Sequence, residues 1–281
     1  MSVDNGLYDR LGDSWWDPSQ PLSLLRSFLN PPRLAFIRAV LARLQIDPAE
    51  SSALDLGCGG GLLAEEVSRL GCRVTGIDPS APSIATARAH ALVSGLEIDY
   101  RAGAGEQLPF PDHSFDLICC CDVLEHVEQL DPVIAEVARV LKPGAPFIYD
   151  TINRTLASRV LLIWLVQDFA LTRIAPPRLH DWRSFIKPSE LTALLGRCGM
   201  GNRRLAGIEP GVNSLEMLRL YTQLKSGRLS YAAFGKRLRP RLTARTFASY
   251  IGYAVKAGRA HDPTPDTRHP TPVPKEPPWR V

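Results

Sequence analysis

The chain lacks the sequence patterns of a membrane-spanning or secreted protein. None of its apolar runs reaches the roughly 18 residues that a membrane-spanning helix needs. The opening stretch, MSVDNGLYDRLGDSWWDP, contains no apolar core of the kind that a secretory signal requires. We therefore expect a cytoplasmic protein, and its 45% hydrophobic and 22% charged residues are typical of an ordinary globular fold.

The six cysteines include no CxxC pair, and three of them, Cys119, Cys120 and Cys121, are consecutive. Neighbouring residues of a strand point to opposite faces of a sheet, so this run does not form a zinc knuckle. We expect reduced thiols that pack as small hydrophobic side chains, as is usual in cytosolic proteins.

Acidic residues are missing from residues 225–245, and aromatic residues are sparse throughout the chain. Seven basic residues fall in that stretch, namely Lys225, Arg228, Lys236, Arg237, Arg239, Arg241 and Arg245. Such a run is usually a solvated face, but beside an apolar surface it can also bind anionic lipid head groups. Because aromatic residues make up only 7% of the chain, we do not expect a nucleic-acid surface.

An apolar segment at 156–177, LASRVLLIWLVQDFALTRIAPP, is a candidate neighbour for these basic residues. One acidic and two basic residues interrupt it, so it is too broken to span a bilayer. Two hypotheses remain: an interfacial helix that inserts Trp164 and Phe169 into lipid, or a lid helix that packs on the core. The first hypothesis predicts a protein peripheral to the inner face of the membrane, in contact with its anionic surface.

Strand-like and helix-like segments alternate from about residue 52 onward, which predicts an α/β fold. The strand-like segments are SALDLG, CRVTGID, LEIDYRAG, SFDLICCC and APFIYDTINR. The helix-like segments are GGLLAEEVSRLG, APSIATARAHALVSG and LDPVIAEVARVLKPG. Repeated βα units of this length form a mostly parallel, doubly wound sheet with helices on both faces. Ligands of such folds bind at the carboxyl ends of the strands.

The cofactor-binding core is predicted to span residues 51–208, with additions before and within it. Residues 1–50 contain PPRLAFIRAVLARL, a helix that we expect to open after its two prolines, and this part is predicted to be a helical lid. Residues 153–190 form an insertion after the fifth strand, which is predicted to be a second lid.

Two further parts follow the core. Residues 209–260 are predicted to hold a basic helical insertion, at 209–245, and the final strand. This insertion interrupts a terminal hairpin of NRRLAGIE and FASYIGYAVKAG. Residues 261–281 contain seven prolines and cannot build a core, so we expect an extended tail.

A glycine loop, LDLGCGGG, follows the first predicted strand and contains Gly57, Gly59 and Gly61. A dinucleotide-binding fingerprint, G-x-G-x-x-G, needs a glycine at position 62, where this chain has Leu62. The observed spacing lets a ligand approach the backbone closely without a phosphate to cradle at the helix N-terminus. A structural turn with no ligand is the alternative interpretation.

Two carboxylates flank the glycine loop. Asp55 lies just before it, where its carboxylate can meet a cationic amine. Asp78 ends the second strand in TGID, about 20 residues further on, where a carboxylate suits a ribose diol. An aminoacyl nucleoside with a sulfonium centre matches this combination, so we predict S-adenosyl-L-methionine as the cofactor.

Five more residues are predicted to contact the cofactor: Arg33, Pro79, Gly105, Glu106 and Cys121. Many methyltransferases carry an acidic residue near the adenine, before an LPF segment. This chain has Ala104 in that place, in GAGEQLPFPD. We therefore expect the adenine contacts to come from the backbone around the next two residues.

Seven motifs carry a resemblance to a known family. They are WWDP (15–18), NPPRLAFI (30–37), LDLGCGGGLLAE (54–65), ARAHALVSGLEIDY (87–100), VLEHV (123–127), TINR (151–154) and HDWRSFIKPSEL (180–191). Over residues 14–208 the chain resembles the class I methyltransferases that O-methylate polyprenyl phenols in ubiquinone biosynthesis. The resemblance implies a Rossmann-like fold with a mostly parallel seven-stranded sheet. After residue 208 the chain departs from the family's usual ending.

The stretch CDVLEHVEQL, residues 121–130, places Asp122, Glu125 and His126 at positions i, i+3 and i+4. If the stretch is helical, all three side chains lie on one face. The corresponding family segment, Glu-x-x-Glu-His, is associated with a divalent metal. The resemblance therefore implies a metal site at these three residues, with the aspartate in place of the first glutamate. Mg, Mn and Zn all suit such oxygen and imidazole ligands.

Methyl transfer to a phenol requires a group that helps the phenol hydroxyl to lose its proton. A phenol has a pKa near 10 and is a poor nucleophile while it is protonated. A metal or a nearby base can stabilise the phenolate, and the catalytic candidates are His126, Glu125 and His180. Three alternatives remain. His126 and Glu125 could only line the cofactor pocket, and His180 could be structural. In the third alternative a histidine takes the proton without the help of a metal.

We interpret the chain as an S-adenosylmethionine-dependent O-methyltransferase of a phenol or quinol, most simply one with a polyprenyl tail. The same chemistry on a soluble natural-product phenol is the nearest alternative. A nicotinamide-dependent reductase is a second, against which Leu62 argues. A cofactor-binding scaffold without catalysis is a third, and the acidic and imidazole groups at residues 122–126 argue against it.

Overall fold

The computed structural model of the chain describes residues 6–10, 12–169, 172–176 and 179–258. The predicted proline-rich tail at 261–281 lies outside these residues. Within them, a single sheet forms the centre and helices pack on both of its faces.

The sheet has eight strands in the described part of the chain. They are β1 (Ser52–Leu56), β2 (Arg73–Asp78), β3 (Ile98–Ala102), β4 (Leu117–Cys121), β5 (Pro146–Ile152), β6 (Met200–Glu209), β7 (Arg241–Thr243) and β8 (Ser249–Lys256). Their order is β3-β2-β1-β4-β5-β8-β6-β7. Strands β1 to β5 are parallel, and β8 is antiparallel to both β5 and β6. The predicted α/β sheet and its terminal hairpin are confirmed.

The expectation of seven strands is wrong by one short strand. β7 contributes only three residues, which pair antiparallel with the end of β6. It lies inside the 209–245 insertion. The backbone groups at the outer edge of β6 need partners, and the returning chain of the insertion supplies them.

The consecutive cysteines confirm the alternation expected of a buried strand. Cys119 packs in one hydrophobic cluster and Cys120 in the cluster on the opposite face of the sheet. Both thiols are free and buried, and Cys121 ends the strand at the ligand-binding edge. The thiols therefore serve as small apolar side chains, as predicted.

Nine α-helices occur among the described residues. They are α1 (Gly6–Arg10), α2 (Asn30–Leu44), α3 (Leu62–Arg69), α4 (Ala81–Val93), α5 (Leu130–Val140), α6 (Leu156–Ser158), α7 (Pro188–Arg197), α8 (Ser214–Lys225) and α9 (Tyr231–Arg237). The local sequence explains why α4 starts where it does. The Ser80 side chain accepts a hydrogen bond from the Ser83 N–H, and Pro82 lies in the first turn of the helix. The helix predicted after Pro31 and Pro32 begins at Asn30 instead, which places both prolines in its first turn.

The two faces of the sheet are covered by different helices. On one face, side chains of α5 and α7 pack against Ile118, Phe147 and Tyr149. On the other face, side chains of α2, α3 and α4 pack against Leu117 and Ile148. Both layers leave the carboxyl ends of β1, β2 and β4 accessible, which is where ligands of doubly wound sheets bind.

The stretch 121–130 is not a helix, so the expected single helical face is wrong. The strand β4 ends at Cys121, and Asp122 follows with a left-handed φ of 56°. Turns then continue until α5 begins at Leu130. Pro132 favours a helix start at this point, because proline fits the first turn of a helix and not its interior.

The segment 153–190 continues from α6 into a wide π-helical stretch, Arg159–Asp168, and returns through a 3₁₀ turn at Trp182–Ser184. None of the helices in the described part of the chain combines the length and apolarity that crossing a bilayer requires. The Gln167 side chain joins the two arms of the segment, since its amide accepts from the His180 N–H at 2.7 Å and donates to the His180 carbonyl at 3.1 Å.

Candidate active site

A cavity of about 1250 Å³ opens at the carboxyl ends of the parallel strands. The predicted site residues on its surface are Arg33, Asp55, Gly57, Asp78, Pro79, Gly105, Glu106, Cys121, Asp122, His126 and His180. Gly59, Gly61 and Glu125 lie next to this lining and not on it. The structure therefore brings the predicted cofactor and acceptor residues together in one cavity.

The glycine loop and Asp78 form one unit. The Gly59 N–H donates to Asp78 Oδ2 at 2.8 Å, and the Ser80 N–H donates to Oδ1 at 2.9 Å. Burial raises the pKa of this carboxyl, and the two N–H donors oppose the shift. The strand-end carboxylate is thereby held facing the cavity, as a ribose ligand requires.

Two tryptophans cover the loop. A Cβ atom on Gly59 would lie 2.5 Å from the ring of Trp15, and the Trp15 Nε1–H donates to Ser83 Oγ at 3.0 Å. The Trp16 Nε1–H donates to the Gly60 carbonyl at 2.9 Å, and the Trp16 ring stacks on His90. The WWDP motif thus fastens the N-terminal segment over the loop, a role that the sequence pattern did not reveal.

Asp55 is buried beside this loop, with 4% of its surface exposed. Its Oδ2 atom has no hydrogen-bond partner in the described part of the chain. Burial raises the pKa of the carboxyl to about 7, and nearby Arg33 opposes the shift. An unpartnered carboxylate oxygen at a cavity surface is a favourable place for a cationic group of a ligand.

Arg33 lies in a buried ion-pair network. Its Nε and Nη2 atoms donate to the two carboxylate oxygens of Asp150 at 2.5 and 2.9 Å. The same Nη2 atom donates to Asp122 Oδ2 at 2.5 Å, and Nη1 donates to Asn30 Oδ1 at 3.2 Å. Burial lowers the pKa of the guanidinium, but the two carboxylates outweigh it and the net pKa is raised. Arg33 therefore joins helix α2 to the ends of β4 and β5.

This network explains the unusual backbone of Asp122. Its N–H donates to Asp150 Oδ1 at 2.9 Å while its carboxylate accepts from Arg33. These contacts hold the residue in the left-handed region, which aspartate tolerates better than most residues. The carboxylate of Asp122 is thus engaged by Arg33, and it does not join the other two predicted metal ligands in a cluster of converging ligand atoms.

A different trio of side chains converges. One ligand atom each from Glu125, His126 and His180 lies within 4.8 Å of the other two. Glu125 is buried with 2% exposure, and its Oε2 accepts from Thr151 Oγ1 at 2.8 Å. Its Oε1 is buried with no hydrogen-bond partner in the described part of the chain. The ring centroids of the two histidines are 5.1 Å apart.

Burial dominates the electrostatics of this cluster. It raises the pKa of Glu125 to about 8, with a further contribution from the charge of Asp122. It lowers the pKa of His126 to about 3, with His180 adding to the shift, and that of His180 to about 4. Without a ligand, all three groups are therefore mainly neutral at pH 7, which is the protonation state in which an imidazole can accept a proton or bind a cation.

Tyr8 reaches the cluster from the N-terminal segment. Its hydroxyl lies 3.3 Å from His126 Nε2, and its ring stacks on Trp15 with centroids 5.9 Å apart. Burial raises the pKa of this phenol well above its usual value. One aromatic side chain therefore contacts both the cover of the glycine loop and the histidine of the cluster.

Sequence reasoning missed Asp150, Thr151 and Tyr8. Asp150 and Thr151 could have been identified from the sequence. The buried strand PFIYDTI contains an aspartate, and a buried aspartate needs a charged partner. Tyr8 could not, since nothing in the sequence links it to a residue 118 positions away.

Comparison with known proteins gives a consistent family relationship. Residues 54–149 match the sequence profile of the family described as Methyltransferase domain. A ubiquinone biosynthesis O-methyltransferase from Xanthomonas axonopodis pv. citri is 36% identical over 247 residues, which cover 88% of this chain and 90% of that protein. The Caulobacter vibrioides protein of the same name is 41% identical over 201 residues, covering 69% and 79%.

Solved structures of methyltransferases share the fold. A S-adenosylmethionine-dependent methyltransferase from Aquifex aeolicus has a TM-score of 0.54 at 16% identity, covering 90% of this chain and 98% of that one. Magnesium protoporphyrin IX methyltransferase from Synechocystis PCC 6803, with bound S-adenosylhomocysteine, has a TM-score of 0.52 at 20% identity, covering 81% and 84%. At these identities the similarity shows the fold alone.

Proposed function

Since the chain belongs to the family of ubiquinone biosynthesis O-methyltransferases and is a S-adenosylmethionine-dependent enzyme, we propose that it methylates a ring hydroxyl of a polyprenylated phenol or quinol. The observation that carries this proposal is the shared cavity. Asp78 and the glycine loop flank one part of it, and the cluster of Glu125, His126 and His180 flanks another. A methyl donor and a hydroxyl acceptor can therefore meet within it.

The residues of the cluster suit proton removal from the acceptor. A phenol with a pKa near 10 must lose its proton before or during attack on the sulfonium methyl group. His126 lies on the cavity surface as a neutral imidazole, so a ring nitrogen can accept a hydrogen bond from the acceptor hydroxyl. Because burial lowers the pKa of His126 to about 3, complete transfer of the proton to it requires the bound ligands to raise that pKa. Attack must be in line with the bond that breaks, and the side chains around the cluster fix the direction of approach.

A divalent metal fits the same cluster. The fit rests on the converging ligand atoms and on the unpartnered Oε1 of Glu125, which is an acceptor in need of a cation or a donor. Glu125, His126 and His180 would hold the ion, as a carboxylate and two neutral imidazoles suit Mn or Zn well and Mg less well. When bound, the ion would lower the pKa of an acceptor hydroxyl. The proposed ligand set thus contains His180 and omits Asp122.

The N-terminal segment and segment 153–190 suit the role of lids over the two ligands. Trp15 covers the glycine loop, and Gln167 holds the backbone of His180 beside His126. Closed lids exclude water from a sulfonium that must react with a phenolate and not with solvent. This supports the division into a core and two covering parts.

The proposed function is tested by incubating the protein with S-adenosylmethionine and a prenylated catechol, with and without added divalent ions. We expect stoichiometric formation of a methyl ether and S-adenosylhomocysteine, detected by mass spectrometry. A protein that binds S-adenosylmethionine but leaves every phenol and quinol unmethylated would contradict the proposal.

Cofactor binding depends on the contact between the glycine loop and Asp78. We expect Gly59→Val and Asp78→Ala each to weaken S-adenosylmethionine binding at least about tenfold, or about 1.4 kcal/mol. The first change forces a side chain into the Trp15 ring at a backbone φ of 49°, and the second removes the acceptor of the Gly59 N–H. Calorimetric titration measures the affinity, with Gly196→Ala as the control because no atom lies within 4 Å of its Cβ position and its φ is not positive. Unchanged affinity in both test variants would remove the basis of this assignment.

We propose that segment 153–190 also docks on an anionic membrane surface. Trp164, Phe169, Val160 and Leu156 are exposed, and the rings of the first two stack on each other. All seven basic side chains of residues 225–245 are exposed as well. The Lys225 amine donates to the Arg173 carbonyl at 3.2 Å, which connects the basic insertion to this apolar segment. Apolar and cationic groups together form the pattern of an interfacial binding site.

The docking hypothesis predicts co-sedimentation with vesicles that contain anionic lipid, and weaker binding at high salt. Replacing Trp164 and Phe169 together with serine should reduce the bound fraction several-fold, because both side chains are exposed and apolar. Leu92→Ser is the matched control, since Leu92 is 82% exposed on helix α4. Equal vesicle binding by the double variant and the control would favour a lid that packs only on the protein.

A further inference from the structure

The cavity is larger than one cofactor needs. Its volume of about 1250 Å³ exceeds the roughly 300–1,000 Å³ of a typical small-molecule site. The predicted cofactor residues account for the part next to β1, β2 and β4. Another part of the lining comes from the 209–245 insertion, on the far side of β5 in the sheet order.

The topology places this insertion beside the acceptor cluster. β6 is antiparallel to β8, and β8 is antiparallel to β5, so β6 runs in the same direction as β5. The carboxyl end of β6 therefore lies at the ligand-binding edge of the sheet, and Ile208 and Pro210 line the cavity there. Helices α8 and α9 follow directly from this end.

The insertion presents an apolar wall to the cavity. Met217, Leu218 and Tyr221 line it from α8, Phe234 lines it from α9, and Leu238 lines it from the position just after α9. None of these five side chains carries a formal charge. The exposed basic side chains of the same insertion are separate from this lining.

This wall is fixed in place by packing and hydrogen bonds. Leu220, Leu224 and Leu229 are buried with Phe234 and Leu238 in a small core of their own. Helix α9 approaches the N-terminal segment closely, because a Cβ atom on Gly235 would lie 2.1 Å from Ser27 Oγ. The Ala232 N–H donates to the Pro18 carbonyl at 3.1 Å. A wall held in this way is preformed, so it loses little entropy when a ligand binds.

We propose that this wall forms a tail compartment, which receives the apolar chain of the acceptor while the phenol ring lies at His126. The inference rests on the proposed function and adds the location and the selectivity of tail binding. An aliphatic chain gains free energy from leaving water, and the five wall side chains offer no competing charge. Among the lining residues of the insertion only Glu209, at the end of β6, is charged. Leu218 is 59% exposed at the cavity surface, so a chain longer than the compartment can leave past it.

The first experiment compares two acceptors in detergent solution: a catechol with a farnesyl chain and plain catechol. In Met217→Trp and in Leu218→Trp we expect the ratio of kcat/KM for the tailed over the tail-free acceptor to fall at least about tenfold, because the indole occupies space intended for the tail. Leu215→Trp is the matched control, since Leu215 lies on the same helix, is 78% exposed and does not line the cavity. A wild-type ratio in folded Met217→Trp and Leu218→Trp would overturn the inference.

The second experiment uses the unaltered chain and a catechol whose tail ends in a photoreactive diazirine. After irradiation we expect the label on peptides from residues 214–238, mapped by mass spectrometry. A probe that is methylated but labels other regions overturns the tail compartment and leaves the proposed function standing. A probe and a plain catechol that are both left unmethylated contradict the proposed function itself.

Discussion

Replacing Arg33 with methionine is expected to destabilise the protein by about 3–5 kcal/mol. The guanidinium is 3% exposed and is the cationic partner of both Asp122 and Asp150. Its removal leaves the buried carboxylate of Asp150 without a countercharge, and that costs more than an exposed ion pair contributes. Chemical denaturation followed by circular dichroism measures the loss, with Arg38→Met as the control because Arg38 is exposed on the same helix.

The pH dependence of Arg33→Met identifies the cause. In the native chain burial raises the pKa of Asp150, and Arg33 is the group that most opposes the shift. Without Arg33 that pKa rises further above its unfolded value of about 3.9. A carboxyl with a raised folded-state pKa holds its proton longer when folded, so the variant loses stability as the pH rises above the unfolded pKa. A destabilisation equal at pH 5 and pH 8 would contradict the buried-charge explanation.

A double variant separates the ion pair from simple packing. Arg33→Met combined with Asp150→Leu removes the pair and replaces it with apolar side chains of similar volume. We expect the combined loss to be smaller than the sum of the two single losses by about 0.5–3 kcal/mol, since Arg33→Met leaves Asp150 without its cationic partner and Asp150→Leu leaves Arg33 with Asp122 alone. Strictly additive losses would indicate that the two side chains do not interact.

The sequence was sufficient for the parts of the fold that repeat a local pattern. The five parallel strands, the helices between them and the final hairpin each follow from apolar runs bounded by glycine or proline. β7 was missed because three residues form no periodic pattern, and they pair only because β6 offers an open edge. The alternating burial of Cys119 and Cys120 was predictable, since it needs only the geometry of one strand.

The candidate site was predictable where residues adjoin strand ends and unpredictable where distant segments meet. Asp55 and Asp78 border the cavity because parallel strands end at one edge. The spacing of Asp122, Glu125 and His126 suggested a helix, but contacts with Arg33, 89 residues away, hold Asp122 in a turn. These contacts join residues that are distant in the sequence, so a local sequence pattern cannot predict them.

The position of His180 shows the same limit. It completes the cluster with Glu125 and His126 although more than fifty residues separate it from both. The motif HDWRSFIKP marked it as a candidate base, and only the folded chain places it against another imidazole. A metal motif on one helix and a cluster drawn from two chain segments therefore predict different ligand sets.

Removing the imidazole of His126 is expected to abolish most turnover and to spare cofactor binding. We expect His126→Ala to lower kcat at least about a hundredfold, since a positioned acid-base group typically contributes 10²–10⁴. S-adenosylmethionine affinity should stay within about threefold, or about 0.7 kcal/mol, because we propose that His126 and its neighbours Glu125 and His180 act on the acceptor and not on the cofactor. Initial rates with a prenylated catechol and calorimetry with the cofactor measure the two quantities. Loss of cofactor affinity in parallel with turnover would place His126 in the cofactor site instead.

Paired variants at Asp122 and His180 decide which residues hold a metal. Chelation should remove turnover, and a divalent ion should restore it. If the ion is held by Glu125, His126 and His180, then His180→Ala should weaken Mn²⁺ binding, measured by calorimetry, at least about tenfold. Asp122→Asn should bind Mn²⁺ as the native protein does, because asparagine tolerates the left-handed backbone and can still accept a hydrogen bond from Arg33. Weaker Mn²⁺ binding by Asp122→Asn and native binding by His180→Ala would instead support the ligand set predicted from the sequence.

Full methyl transfer in metal-free buffer would refute the requirement for a metal and leave the neutral imidazole of His126 as the base.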